Sequence, residues 1–391
     1  MSGAVAGRNP DGHIDVLILG AGPAGSALAL ALRRAGIGEV LQIDQPSRKP
    51  LRMGESAAPG LGSLLRHLGL DDRLDARGHR PCYGNRSLWG RAEPVVEDFM
   101  TRAQGPGWHL DRAAFDLWLQ GEAVAAGAEL LSSAHLVSAD RESDAWQVAI
   151  RTGEATLTMR TRWIVDCTGR PAAFARRSGA RLRRLDRLIG LAMLATPADG
   201  RGFDGYSLVE SAGSGWWYGA RLPDGRAVVA LMTDSDIAQS TGLFSSGNFR
   251  QAWAGSSEMS RFAAPAAEGP RPVAYAAGTQ FIDRAIAPGW LALGDALMAF
   301  DPLCAAGITG ALEDAIVAAD TIVGLLDEPS EEVARELRRA YAARADAGLR
   351  RYMAEHRAVY AAECRWPGSN FWQRRAVFGQ VQTARPASMP S

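Results

Sequence analysis

The feature that most restricts this chain is an apolar run that ends in three glycines. Apart from Asp15, Ile14 to Leu19 is unbroken hydrophobic sequence, as a strand covered on both faces must be. It runs directly into Gly20-x-Gly22-x-x-Gly25 and then into a helix-like segment, Ser26 to Ala35. Strand, glycine turn and helix in that order open a βαβ unit. The first glycine permits a tight turn, the second lets a phosphate approach the backbone, and the third lets the helix pack close on the strand. Pro23 and Ala24 fall where unpaired N–H groups and the positive helix end suit a pyrophosphate. A second strand, Glu39 to Ile43, ends at Asp44, about twenty residues past the glycines, where a carboxylate binds a ribose hydroxyl. An acid there favours a free 2′-hydroxyl over a 2′-phosphate.

Composition excludes several classes. With 391 residues the chain can bury one large core or two joined ones. A hydrophobic content of 47% and a formal net charge of zero describe an ordinary globule, neither disordered nor built to hold nucleic acid. No run of membrane-spanning length and no signal segment is expected. Cys82, Cys167, Cys304 and Cys364 lack metal spacing and any disulfide rhythm, so no metal site is expected and a reducing cytoplasm is the simplest home. Basic charge is almost wholly arginine. The cluster Arg176, Arg177, Arg181, Arg183, Arg184 and Arg187 therefore reads as a solvated face before it reads as a dock.

Periodicity divides the rest. The expected class is α/β: a Rossmann-like nucleotide domain (13–187), an inserted, mostly antiparallel β-sheet substrate domain (188–280), a return to the nucleotide domain (281–330), and C-terminal helices (331–382). Residues 1–12 and 383–391 read as loose ends. Within the first part, Leu61 to Leu68 and Ala113 to Ala126 have helical spacing, whereas Leu136 to Val148 and Ala155 to Val165 read as strands. The latter ends at Asp166-Cys167-Thr168-Gly169. In the insertion, Ile189 to Leu194, Ser207 to Glu210, Gly215 to Ala220 and Ala227 to Met232 are short strands separated by Gly, Asp and Pro.

A second glycine turn follows late in the chain. Leu291-Ala-Leu-Gly294-Asp295 leads to Asp301-Pro302-Leu303 and to a helix opened by Gly307-Ile308 and running to about Leu326. With the first turn and Asp166 to Gly169, these residues resemble the two-dinucleotide-binding flavoproteins that include aromatic-ring hydroxylases, tryptophan halogenases and geranylgeranyl reductases. The resemblance covers roughly Ile14 to Trp372 and implies FAD as cofactor. It places Asp295 on the ribityl or adjoining hydroxyls and the helix at Gly307 against the flavin. It also adds Glu55, Ser56 and Arg112 to the cofactor contacts. Gly84 to Gly90, Gly107 to Arg112, Gly215-Trp216-Trp217-Tyr218 and Arg365-Trp366-Pro367 are similar to a halogenase-like subgroup. Some of its members modify a tryptophan side chain of another protein during tryptophylquinone formation.

Hydroxylation and halogenation share a flavin C4a-hydroperoxide, so side chains must separate them. The halogenase pattern requires a lysine some 25 residues beyond the Gly-Glu motif; here the single lysine, Lys49, precedes Glu55. The tryptophan-rich halogenase signature is absent as such, and Asp301-Pro302-Leu303 continues as Cys304-Ala305 rather than Glu-Ser. The expectation is therefore an FAD monooxygenase that hydroxylates an indole-like ring, free or borne by a protein. A halogenase, a prenyl-reductase-like enzyme and a flavin-carrying accessory protein are the alternatives. The short Asp166 to Gly169 motif implies no stable nicotinamide site, so a separate reductase is a candidate partner. Candidate acid–base residues are His109, Glu55 and Asp111. His109 serves either catalysis or a loop hydrogen bond, and Asp111 either catalysis or an N-cap. Trp216, Trp217 and Tyr218 are the expected substrate walls.

Overall fold

The computed structural model describes residues 13–45, 55–101, 105–198, 203–265, 270–327 and 329–378. The two expected loose ends and Met53-Gly54 lie outside the described residues.

The first strand, His13–Leu19, lies at the centre of a mixed sheet. It pairs in parallel with Val40–Asp44 on one side and Ala155–Asp166 on the other. Glu129–Ser132 extends the sheet beyond the former and Trp290–Ala292 beyond the latter, again in parallel. The missing alternation in the sequence is thereby explained. Val16 and Ile18 pack among the helices of one face, Leu17 and Leu19 into a separate cluster on the other. Each such side chain gives about 1.5–3 kcal/mol on burial. The return strand Trp290–Ala292 brings Gly294 to the same sheet edge as Gly20.

One strand expectation is corrected. Leu136 to Val148 is not a single strand but parts of a hairpin, Ala134–Glu142 and Ala145–Thr152. Ser143 turns the chain with φ 53°, and Arg-Glu-Ser-Asp carries the polar turn residues that could have located the break.

The second sheet is largely antiparallel. Leu188–Pro197 pairs with Ala227–Asp234, then come Gly215–Arg221 and Tyr206–Ala212. Gly84–Leu88 joins it in parallel, with Val95–Asp98 outside. Strand alternation sends Trp217 to one face and Trp216 and Tyr218 to the other. The Trp217 face is closed by short helices Ser235–Ser240, Ser246–Ala254 and Met259–Phe262, which bury Phe249, Trp253 and Phe262. The Trp216 face is closed by Tyr360, Phe371 and Trp372.

The helix Gly307–Leu326 shares a core with Pro23–Arg34. The expected C-terminal helices begin with one of 31 residues, Glu331–Ala361, with Ser330 accepting from Val333 N at its start. Asn370–Phe378 ends the described chain.

Candidate active site

The three glycines of the first turn differ in what surrounds them. Gly20 has φ 111°, and a Cβ there would lie 2.3 Å from the Cys167 carbonyl oxygen; at Gly25 it would lie 2.0 Å from that of Gly20. At Gly22 a Cβ would meet nothing within 4 Å. Two glycines are therefore fixed by backbone crowding, and the middle one borders open space at the start of the Pro23–Arg34 helix. Asp44 Oδ1 accepts from Ala21 N at 3.1 Å, so the carboxylate at the end of the second strand sits beside the glycine turn.

The second turn meets the first. Gly294, φ 58°, comes so close that a Cβ there would lie 3.0 Å from Ala24 Cβ. Asp295 follows with 47% of its side chain exposed, 3.9 Å from Arg170 Nε. Loss of hydration lifts its carboxyl above the usual range, against the pull of Arg170 and Arg112. Arg112 is held by Asp116, with Nε 3.2 Å from Oδ1. An acid and two guanidinium groups thus gather where the two glycine turns converge. Asp166, placed by sequence among the cofactor contacts, is fully buried. Its oxygens accept from Thr168 N, Thr168 Oγ1 and Ala175 N. It fixes the turn that leads to Gly169 (φ 70°) and Arg170.

Asp301 is also buried, accepting from Leu303 N at 2.9 Å and from Tyr360 Oη at 2.7 Å, with His356 Nε2 at 3.4 Å. Tyr352 Oη in turn accepts from Asp301 N at 3.1 Å. Pro302, Cys304, Ala305 and Gly307 follow as accessible residues, while Ile308 is buried. The Gly307–Leu326 helix has no side-chain cap at its N-terminus, leaving its first N–H groups and positive end to what lies before them. Cys304 Sγ donates to Asp301 O at 3.1 Å.

The acid–base candidates separate by environment. Asp111 caps the helix Arg112–Ala125, accepting from Ala114 N at 3.0 Å, which is the capping reading. His109 is 1% exposed and its Nε2 lies 3.0 Å from Ser207 Oγ. Burial, then the charge of Arg80, lowers its pKa from 6.5 to about 4, so it is neutral at pH 7. Glu55 is buried, with Ser56 beside it 2.5 Å from Tyr218 Oη. Of the expected aromatic walls, Trp217 is turned away against Phe249, ring centroids 5.4 Å apart. Trp216 is buried and donates to Tyr360 Oη at 2.9 Å. Tyr218 alone of the three is partly accessible.

A family model described as "FAD binding domain" matches residues 13–353. The chain belongs to this family. It is an FAD-dependent oxidoreductase, and its fold is that of flavin-dependent halogenases and monooxygenases. The putative FAD-dependent oxidoreductase LodB of Marinomonas mediterranea is 28% identical over 374 residues, covering 95% of this chain and 99% of LodB. Among solved structures, QhpG, a peptidyl tryptophan dihydroxylase essential for tryptophylquinone cofactor biogenesis, is 26% identical with a TM-score of 0.76. The match covers 96% of this chain and 81% of QhpG. The flavin-dependent halogenase CmlS has a TM-score of 0.82 at 21% identity, covering 92% of this chain and 67% of CmlS. That likeness shows a shared fold.

The site of this FAD-dependent oxidoreductase fits its cofactor. Gly22 leaves open space at the backbone where a pyrophosphate would lie, the Asp44 carboxylate is held beside that turn, and Asp295 stands near two guanidinium groups. Sequence reasoning missed the residues that support this site. Arg170 donates to Gly278 O and Phe300 O, and Tyr352, His356 and Tyr360 surround Asp301. The last three recur every four residues on a helix otherwise rich in Arg, Glu and Ala, which is the signal that could have found them. No helix among the described residues is long and apolar enough to cross a membrane.

Proposed function

We propose that this enzyme is an FAD-dependent monooxygenase that hydroxylates an indole ring, with a tryptophan side chain of a partner protein as the favoured substrate. The observation that carries this reading is the 26% identity to QhpG, extending over 96% of the chain. Two features of the sequence support hydroxylation over halogenation: no lysine follows Glu55, and Cys304-Ala305 follows Leu303.

In this reading Gly20, Gly22, Pro23, Ala24 and Gly25 hold the pyrophosphate and Asp44 the ribose. Asp295, Arg112 and the turns at Gly169 and Gly294 bound the flavin side. The stretch from Asp301 to Ile308 presents an uncapped helix end to the ring system. Glu55 and Ser56 complete that wall. Reduced FAD supplies, with dioxygen, the oxygen atom that the substrate gains. The chain's own work is to exclude water, orient the ring beneath the 188–280 sheet and manage a proton. Electrons come from a separate flavin reductase. A cytoplasmic setting is part of the same reading, and all four cysteines are free thiols.

The test is mass spectrometry of tryptophan-containing peptides after reaction with reduced, FAD-loaded protein and isotopically heavy dioxygen. One or two heavy oxygen atoms on the indole are expected. A halide-dependent mass gain would replace this reading with halogenation, which the fold likeness to CmlS supports. Turnover that persists without oxygen would replace it with a reductase.

A further inference from the structure

Behind Tyr218 lies a line of polar side chains drawn from separate strands. Tyr218 Oη is 2.5 Å from Ser56 Oγ, Ser56 Oγ is 3.4 Å from Ser207 Oγ, and Ser207 Oγ is 3.0 Å from His109 Nε2. Glu55 stands at the Tyr218 end, near enough for its charge to act on the phenol. Ser56 and Tyr218 are partly accessible, whereas Glu55, Ser207 and His109 are buried. The line therefore joins two partly accessible residues, Tyr218 and Ser56, to a buried carboxylate and a buried neutral imidazole.

We propose that Tyr218 and Glu55 form the proton relay that serves the aromatic substrate, with Ser56, Ser207 and His109 as positioning residues that hold the phenol in place. This deepens the hydroxylase reading and rests on it for the ring that loses the proton. Oxygen transfer leaves one ring carbon carrying both the new oxygen and its original hydrogen. That C–H bond then breaks and its electron pair re-enters the ring. The hydrogen passes as a proton to the Tyr218 oxygen, while the phenolic proton of Tyr218 passes to a Glu55 oxygen. Tyr218 ends as it began, Glu55 ends protonated, and no further oxidant is consumed. Burial, and then the charge of Glu55, holds the Tyr218 hydroxyl well above its usual range, so the phenol passes a proton on without resting as a phenolate. His109 is neutral at pH 7. It can direct Ser207 without contributing charge.

Two measurements on the full-length, FAD-loaded protein test the relay. In the first, tryptophan with a deuterated indole ring, free and within a peptide, is given to reduced protein with oxygen. Wild-type kcat is expected to be insensitive to the deuterium. Tyr218→Phe and Glu55→Gln are expected to lower kcat by roughly 10²-fold and to reveal a primary isotope effect. Ser207→Ala should show a smaller loss with a partial effect. A kcat loss without an isotope effect in Tyr218→Phe describes a merely structural residue and overturns the relay.

The second measurement needs no substrate. The NMR signal of the labelled phenolic ring carbon of Tyr218, assigned by its loss in Tyr218→Phe, should shift in both Glu55→Gln and Ser207→Ala. A signal that ignores both substitutions overturns the relay whatever the enzyme turns over. A responsive signal in a protein that leaves every tryptophan untouched supports the hydrogen-bonded unit and removes the indole substrate instead.

Discussion

Gly22 and Gly25 are three residues apart, yet they answer to different forces. At Gly25 a methyl group would collide with the Gly20 carbonyl, where neither backbone can move away; at Gly22 it would enter open space from an ordinary φ of −75°. Gly25→Ala is therefore expected to cost about 1–3 kcal/mol of stability. Gly22→Ala should unfold at the wild-type denaturant midpoint but bind FAD at least about tenfold more weakly, 1.4 kcal/mol. Visible absorbance after gel filtration, alongside urea unfolding of the apoprotein, separates the two effects. His109 gives a second prediction at this scale. Its folded pKa of about 4 lies below the ordinary 6.5, so the unfolded chain takes up a proton that the folded chain refuses. Stability is then lost as pH falls from 6.5 toward 4 and levels off below that. The slope of unfolding free energy in this window should be shallower in His109→Asn by about one proton.

At the scale of elements, the helix Glu331–Ala361 connects the two sheets. Near its start Tyr341 donates to Ala292 O at 2.8 Å, and near its end Tyr360 donates to Asp301 Oδ2 and accepts from Trp216. Removing one hydroxyl leaves a buried carboxylate short of a donor. Tyr360→Phe is thus expected to cost about 1–3 kcal/mol and to weaken FAD retention through the Asp301 turn. Calorimetry with and without added FAD checks both. The four-residue spacing of Tyr352, His356 and Tyr360 marks one face of this helix in the sequence, but the hydrogen bonds that face makes across long separations leave no such trace. What was legible rests on local constraint. The strand–glycine–helix order at 14–35, the helix opened by Gly307 and the strands at 188–232 follow from apolar period and turn residues. The helices at 235–262 have too few turns to show a period, and their amphipathic faces become clear only once Trp217 has been placed above them. The opposite placements of Trp216 and Trp217 follow from strand alternation. Which face meets the cleft depended on where the C-terminal helices pack, which no local pattern could show.

For the molecule as a whole, the question is what keeps the substrate sheet seated on the nucleotide domain. The chain beyond 361 crosses back to that sheet and is tied there at Glu363. This carboxylate accepts from Gly90 N at 2.8 Å and Ser211 Oγ at 2.5 Å, and pairs with Arg365 Nη2 at 2.7 Å. Arg365 reaches on to Leu88 O at 2.9 Å. One acid thus gathers main chain or side chain from 90, 211 and 365, and farther on Arg375 pairs with Asp234 at 2.9 Å. Burial by itself would raise the Glu363 carboxyl, but its arginine, hydroxyl and amide partners outweigh burial and lower it from 4.5 to about 2. The sign follows from linkage: a depressed carboxyl pKa stabilises the fold above the unfolded value and loses that contribution as pH falls through the folded one. The tie is therefore fully formed above pH 4.5 and dissolves on acidification toward 2. Glu363→Gln keeps the shape but not the charge, and is expected to lose on the order of 1–2 kcal/mol at pH 7. Between pH 4.5 and 2 its thermal midpoint should fall less steeply than that of the wild type. If the two proteins lose stability in parallel over that interval, the seating of the sheet depends on the aromatic contacts of Tyr360, Phe371 and Trp372 and not on this charge.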